Sequence, residues 1–293
     1  MRLTARGRLV ELLHAAEASG GAVAAAGCQD PFSARIARSV GFDVLYMTGN
    51  GTSAVRLGAP DVGLLTVTEM ADQAARIAAS VDAPLVADAD TGYGGVLNVI
   101  QTVELYARAG VAAMHLEDQR MPKRCGHLAG KQLVDPAEHA SRIKAAVVTS
   151  GETGPLIIAR TDALSVEGFD AAIDRAHLYG EAGAHVVFVE GMADETQIER
   201  AAASLDRWPL AHAWVEGRSP ELTVGRLGEL GVRLVIHPLT SILATLPALQ
   251  HTYRRLLDDG SPLGIIDELA SFEEFTDFMG ASQAAEVERS FTD

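Results

Sequence analysis

Cys125 sits in the run Glu-Asp-Gln-Arg-Met-Pro-Lys-Arg-Cys-Gly-His-Leu-Ala-Gly-Lys at 117–131. This run gathers a thiol, His127, the carboxylates Glu117 and Asp118, and the cations Arg120, Lys123, Arg124 and Lys131. A thiol flanked by Lys123, Arg124 and His127 ionises more easily than a free one. It is equally well placed to give a proton to a carbanion held beneath it. Glycine and proline break regular structure here, so the cysteine is expected to ride on a mobile loop after the apolar run 112–116. The plainer alternative is a solvated basic loop with an incidental cysteine, and the polar residues elsewhere in the chain weaken it.

Those residues recur at the ends of apolar runs. Asp88 and Asp90 are two apart, so an extended strand turns both to the same side. Without a nearby lysine of their own, they suit a hard divalent cation such as Mg²⁺, or Mn²⁺ in its place, held partly through water. Glu117 adds a third carboxylate, with His115 on the same side of its strand; an internal salt-bridge network is the competing reading. The stretch Thr48-Gly49-Asn50-Gly51-Thr52 has small residues whose backbone N–H groups could cradle a carboxylate or phosphate, or simply form a tight turn. Arg160 could clamp a carboxylate through two bonds or stabilise a developing oxyanion. Glu190, His212 and His237 end later runs, and a lone histidine in such a place is more often structural than catalytic. Cys28 reads as a small buried filler.

These groups need a scaffold that brings strand ends together. Short apolar segments recur at 21–27, 43–49, 84–90, 112–118, 155–161, 185–190, 209–214 and 233–238. Each is nearly continuous in apolar residues, as expected of strands buried on both faces of a parallel sheet. Segments of helical period lie between them, as at 68–81, 97–109 and 169–181. Gly41, Gly110, Gly183 and Gly231 mark helix ends just before the next strand. Eight strand–helix units in one chain read as a (β/α)₈ (TIM) barrel, an α/β fold whose chemistry sits at the carboxyl ends of the strands. A doubly wound sheet would show a G-x-G-x-x-G loop opening a helix, and Gly92-Tyr93-Gly94-Gly95 lacks that spacing. The expected organisation is one barrel domain over 1–293. After a helix at 241–257, residues 260–293 form a helical extension, helix-like over 272–290, that packs on a neighbouring subunit.

The chain has 293 residues, is 48% hydrophobic and carries a formal charge of −15. That length suits a single barrel of about 250 residues. The negative charge argues against nucleic acid or an anionic membrane as partner. An anionic substrate would then need local positive charge, from a metal or arginine. Cys28 and Cys125 lie far apart without metal-type spacing and read as free thiols in a reducing compartment. No apolar run approaches the ~20 residues of a membrane span, so a cytoplasmic location is expected. Taken from the residues alone, the site suits an α-hydroxy or α-keto acid. A retro-aldol cleavage to an enolate-like anion fits, as do bond-forming, decarboxylating and phosphoryl-shifting steps through a similar enolate.

The motif Lys123-Arg124-Cys125-Gly126-His127 resembles the loop of the lyase branch of the isocitrate lyase and phosphoenolpyruvate mutase superfamily. Thr48-Gly49-Asn50-Gly51, Leu57-Gly58-Ala59-Pro60-Asp61, Asp88-Ala89-Asp90-Thr91-Gly92-Tyr93-Gly94 and His115-Leu116-Glu117-Asp118-Gln119 extend the similarity over roughly residues 10–260. The resemblance implies a (β/α)₈ barrel that exchanges a C-terminal helix between subunits, as a homodimer or homotetramer. It implies Mg²⁺ held by Asp88, with Asp61, Asp90 and Glu117 helping directly or through water. Thr48, Gly49 and Asn50 would bind the substrate carboxylate, with Asp61, Gly126, His127 and His212 also on the substrate side. Arg160 and Glu190 would surround the reacting centre, Cys125 would be the acid/base thiol on a gating loop, and Glu117, Lys123 and His115 would assist catalysis. The implied reaction cleaves a 2-hydroxy dicarboxylate to a 2-oxo acid and a carboxylate.

Two departures shape the expected substrate. His212 stands where methylisocitrate lyases usually carry asparagine, and Leu243 stands where they place an arginine after strand eight. Loss of that arginine removes an anchor for an extra carboxylate, so a 2-alkylmalate such as 2,3-dimethylmalate is expected rather than a tricarboxylate. The stretch Met47-Thr48-Gly49-Asn50-Gly51-Thr52-Ser53-Ala54 also resembles carboxyphosphonoenolpyruvate mutase. P–C bond formation, and oxaloacetate hydrolysis or decarboxylation, are therefore the enzymatic alternatives. A degenerate barrel kept as a binding protein is the non-enzymatic one.

Overall fold

The computed structural model describes residues 3–126 and 130–292. Eight parallel strands close into a barrel in chain order: β1 (Val23–Cys28), β2 (Val44–Met47), β3 (Leu85–Asp88), β4 (Ala113–Glu117), β5 (Leu156–Thr161), β6 (Val186–Val189), β7 (Leu210–Ala213) and β8 (Val232–His237). Helices α1 (Ala5–Ser19), α2 (Pro31–Ser39), α3 (Gly49–Leu57), α4 (Val67–Ser80), α5 (Val96–Arg108) and α6 (Pro136–Ser150) are followed by α7 (Phe169–Glu181), α8 (Glu195–Ser204) and α9 (Val224–Glu229). The expected (β/α)₈ barrel is what the chain forms.

Both faces of each strand are buried, which is why the sequence runs are apolar rather than alternating. Ala25, Val44, Tyr46, Val86, Ala113, Ile158, Phe188 and Ile236 pack together inside the barrel. Their neighbours in sequence, such as Leu45, Met47, Leu85, Met114 and Ile157, face the surrounding helices. Asp30 and Thr66 start α2 and α4 with reciprocal side-chain caps. Gly110 (φ +79°) and Gly183 (φ +105°) reverse the chain after α5 and α7, in a conformation that side chains rarely adopt. Gly228 lets α9 sit against the approach to β1: a Cβ there would lie 2.6 Å from the Gly21 carbonyl carbon.

The strand register prepares the site. Asp88 pairs with His115 across β3 and β4, and Glu117 pairs with Arg160 across β4 and β5. The last side chains on these strands therefore converge at one mouth.

The chain divides into two compact units, 1–242 and 243–293. Helix α10 (Thr240–Asp259) is followed by a 3₁₀ segment (Pro262–Glu268), α11 (Phe272–Phe278) and α12 (Ala281–Arg289). The single helix expected over 272–290 is two, because Gly280 adopts φ +89° and breaks it. Within the second unit Leu246, Leu249, Tyr253, Leu263, Phe272 and Phe291 are exposed apolar side chains. Among the described residues, no helix is long and apolar enough to cross a membrane.

Candidate active site

The residues of the charged motifs meet at the carboxyl ends of the strands. One pocket is lined by Thr48, Asn50, Asp61, Asp88, Glu117, Lys123, Cys125, Gly126, Arg160 and Glu190, together with apolar residues from β6, β7 and β8. Each charged group reaches it by a definable route. Thr48 caps α3, its hydroxyl accepting from the Gly51 N–H at 3.2 Å, so Gly49 and Asn50 open the first turn of a helix. The expected cradle of backbone N–H groups is thus the N-terminus of a helix rather than a loop or tight turn, a place that favours a bound anion. Gly49 presses on Asp88: a Cβ at residue 49 would collide with the Asp88 carboxylate. Asp61 is brought in by the 58–61 turn, whose Ala59 and Pro60 carbonyls accept from the Ser53 hydroxyl at 3.0 and 3.2 Å.

The acidic cluster is not without a cation. Lys123 reaches in from the loop and its Nζ lies 2.5 Å from both Asp61 and Asp90. The expectation that Asp88 and Asp90 have no lysine of their own is thus overturned, because the partner is remote in sequence. It also means that the Lys123 ammonium is spent on carboxylates. Burial opposes charge on Lys123, but Asp90, Asp88, Glu117 and Asp61 outweigh it and hold the group well above the ordinary lysine range. Asp88 is buried too, yet His115, Lys123 and Arg160 bring its carboxyl below the usual range. Asp90 is pushed up by burial, with Asp88 and Asp61 adding repulsion. Burial likewise pushes Glu117 well above its ordinary value.

Arg160 lies among three carboxylates. Its Nε and Nη2 bond Asp162 at 3.0 and 3.1 Å, and it approaches Glu190 at 3.3 Å and Glu117 at 3.4 Å. Cys125 is held by its own backbone, whose N–H donates to the Asp61 carbonyl at 3.1 Å. The turn before it is tied by Gln119, which accepts from the Arg124 N–H and donates to the Arg124 carbonyl. Cys28, by contrast, is fully buried and its thiol is pushed up to about 12, chiefly by burial. Only Cys125 retains the partial exposure that a reactive thiol needs.

Some expected site residues lie elsewhere. His115 is fully buried inside the barrel, where Tyr46 Oη is 2.7 Å from its Nε2 and Asp88 3.6 Å away. It stands behind the lining rather than in it. His212 is buried on β7 between Ala211 and Ala213, which pack into the interior, so alternation turns it toward the helices and away from the pocket. Asp118 turns outward for the same reason and bonds Thr161, Tyr179 and Arg175. His127 lies outside the described residues. The sequence reading missed Tyr46, Phe188, Ala213, Val215, Ile236, Pro238 and Leu239, all in the lining. Ordinary apolar residues give no signal of chemistry; only their position could have marked them, one step inward of a strand end for Tyr46, Phe188 and Ile236, and at or just past one for the others.

The donor set suits a hard divalent cation. Asp61, Asp88, Asp90, Glu117, Asp162 and Glu190 outnumber Lys123, Arg160 and Lys131, and Glu117 Oε1 has no hydrogen-bond partner among the described residues. No three such groups among the described residues converge on one point.

Comparison with known proteins agrees with this geometry. A family model described as phosphoenolpyruvate phosphomutase matches residues 13–257. The 2,3-dimethylmalate lyase of Eubacterium barkeri is 41% identical over 92% of this chain and 93% of its own length. A 2-methylisocitrate lyase of Aeropyrum pernix is 40% identical over 88% of this chain and 83% of its own. A solved oxaloacetate acetylhydrolase, in complex with 3,3-difluorooxalacetate, superposes with a TM-score of 0.92 at 39% identity, covering 99% of this chain and 97% of that one.

Proposed function

This chain belongs to the phosphoenolpyruvate mutase/isocitrate lyase superfamily, and we propose that within it the protein is a carbon–carbon lyase acting on 2-alkylmalates. The observation that carries this reading is the division of one pocket. Its charged lining is Asp61, Asp88, Glu117, Lys123, Arg124, Arg160 and Glu190, and its apolar lining includes Phe188, Ala213, Val215, Ile236, Pro238 and Leu239. Among the described residues lining it, Lys123, Arg124 and Arg160 are the only basic ones, and the first and last already face carboxylates. Against the Phe188, Ala213, Val215, Ile236, Pro238 and Leu239 side a third substrate carboxylate would meet hydrocarbon, whereas alkyl groups would bury favourably there.

In this reading Asp88 would hold Mg²⁺ or Mn²⁺, with Asp61, Asp90 and Glu117 helping directly or through water. When bound, the ion supplies Lewis-acid stabilisation of negative charge on the substrate oxygens. The protein's own residues do the rest. The N–H groups at the start of α3, with Thr48 and Asn50, seat one substrate carboxylate. Arg160 faces the developing charge and is fixed by Asp162 and Glu190. The 2-hydroxyl proton passes to Glu117, whose Oε1 is an unfilled acceptor. The C2–C3 bond then breaks, its electron pair passing to C3 and the attached carboxylate, and C2 becomes the carbonyl of the 2-oxo acid. Cys125 donates its thiol proton to C3, releasing the second carboxylate and leaving a thiolate that is reprotonated for the next turnover.

The test is Mg²⁺-dependent release of 2-oxo acid from malate, 2-methylmalate, 2,3-dimethylmalate, methylisocitrate, isocitrate and oxaloacetate. The expected result is the highest kcat/KM on 2,3-dimethylmalate. Each added methyl should be worth about 10–200-fold, the usual range for one methylene in an apolar pocket. Methylisocitrate as the best substrate would overturn the alkylmalate assignment. Turnover of oxaloacetate alone would move the protein to the hydrolase branch, and silence on all six would favour phosphorus-carbon chemistry.

The exposed apolar side chains of the 243–293 unit support a homodimer or homotetramer, since patches of this kind mark interfaces. Light scattering should return a mass of at least twice the monomer, and a monomeric mass at micromolar concentration would reject this. The reducing environment that suits a thiol acid agrees with a cytoplasmic setting.

A further inference from the structure

We infer that Lys131 and Asp162 are positioning residues which latch the Cys125–Gly126 segment over the reacting centre and fix Arg160 by the same contact. The inference rests on the lyase reading for what the thiol does, though not for whether it is held.

The contacts form one chain. The Lys131 ammonium donates to the Gly126 carbonyl and lies 3.2 Å from Asp162 Oδ1. The same carboxylate takes Arg160 through two bonds, Nη2 to the Oδ1 that Lys131 shares and Nε to Oδ2. Gly126 also packs directly on the guanidinium: a Cβ there would collide with Arg160 Nη2 and stand 2.9 Å from Glu190 Cγ. Gly126 is thus clamped by Lys131 through its carbonyl and seated on Arg160 through its Cα, with Cys125 as its chain neighbour.

Burial argues that the pair is built for this purpose. The Lys131 side chain is only 4% exposed and that of Asp162 is fully buried. A loop lysine gains nothing from leaving water unless its partner is rigid and its remaining protons are used. The partner is rigid, and two of the three ammonium protons are used, on the Gly126 carbonyl and on Asp162. Asp162 is anchored from behind by Asp118, which accepts from the Asp162 N–H at 2.9 Å and from the Thr161 and Tyr179 hydroxyls at 2.7 and 2.9 Å. Arg175 stands 3.3 Å from the same carboxylate. Asp162 is therefore a fixed post on the barrel. Arg160 binds it through two bonds, and the Gly126 segment is tied to it through Lys131.

Lys131→Met keeps the aliphatic stem and removes the charge. Two readouts follow: steady-state kinetics, and the rate at which iodoacetamide alkylates Cys125, which Cys28 does not obscure because it is buried. The expected result is a kcat loss of about 10²-fold, the scale of a misplaced reacting group, with KM changed by less than about threefold. Alkylation of Cys125 should accelerate about tenfold as the segment lifts more often, at an unchanged Tm. Lys131→Arg, which can span the same two acceptors, should restore most of both. A lysine that merely stabilised the loop base would lower Tm and leave the alkylation rate and the kcat-to-KM split alone. Wild-type kcat and alkylation rate in Lys131→Met would overturn the inference. Should that variant not fold, Lys131→Gln, which still donates to Gly126 but carries no charge toward Asp162, is read in the same way. If no hydroxy acid is turned over, the alkylation rate alone decides, so failure of the lyase reading and failure of the latch are separable.

Discussion

Cys125→Ser should lower kcat on the best hydroxy acid by about 10²–10⁴-fold, the range for a positioned proton donor, or about 3–5 kcal/mol of barrel-mouth catalysis. The physical reason is acidity. A serine hydroxyl occupies nearly the same volume as the thiol but gives up its proton far less readily, so the carbanion at C3 waits for water instead. KM and metal affinity should change little, because Cys125 is fixed by its backbone bond to the Asp61 carbonyl and contributes no carboxylate. Exchange of the product carboxylate's C–H with deuterated solvent should slow in parallel with turnover. Undiminished kcat in the serine variant would show that another group protonates C3, and Lys123 would not be that group while it remains paired with Asp61 and Asp90.

How much of this was legible in the sequence depends on the range of the interaction. The barrel was readable because each strand is buried on both faces and so writes a continuous apolar run; the predicted 84–90 and 155–161 contain β3 and β5 as formed. The ends of strands were readable because a carboxylate or guanidinium interrupts such a run, as at Asp88, Glu117 and Arg160. What could not be read was which way a charge turns once it leaves the strand. Glu117 and Asp118 are adjacent and chemically alike, yet one faces Arg160 and the other faces Arg175 and Tyr179. Lys123 was legible as a neighbour of Cys125, while its actual partners come from the turn after α3 and the end of β3. Asp162 directly follows β5 and is the post that both Arg160 and Lys131 share, a role that no spacing in the sequence marks. Tyr46 gave no signal, because an aromatic residue in a buried run is ordinary until its hydroxyl is found on His115.

Asp88→Ala should abolish metal-dependent turnover, by at least about 10³-fold, since a displaced ion removes charge stabilisation worth several kcal/mol. Asp88 holds three things together: its Oδ1 accepts from the Asp90 N–H at 2.9 Å, its carboxylate touches Gly49 at the start of α3, and His115 lies 3.6 Å away. Losing the carboxylate therefore loosens both the ion's site and the turn that presents Thr48 and Asn50 to the substrate. Its backbone carbonyl still accepts from the Tyr106 hydroxyl at 2.7 Å, which keeps β3 docked on α5. The barrel should accordingly stay folded, with Tm shifted by a few degrees at most, as befits strand-end residues on the catalytic face. Calorimetric titration with Mg²⁺ or Mn²⁺ separates this from a simple loss of a catalytic base: the variant should show no saturable binding at millimolar metal, whereas Glu117→Gln should retain weakened binding. Equal metal affinity in Asp88→Ala and the native protein would move the ion away from β3 altogether, toward the Glu117 and Glu190 side of Arg160.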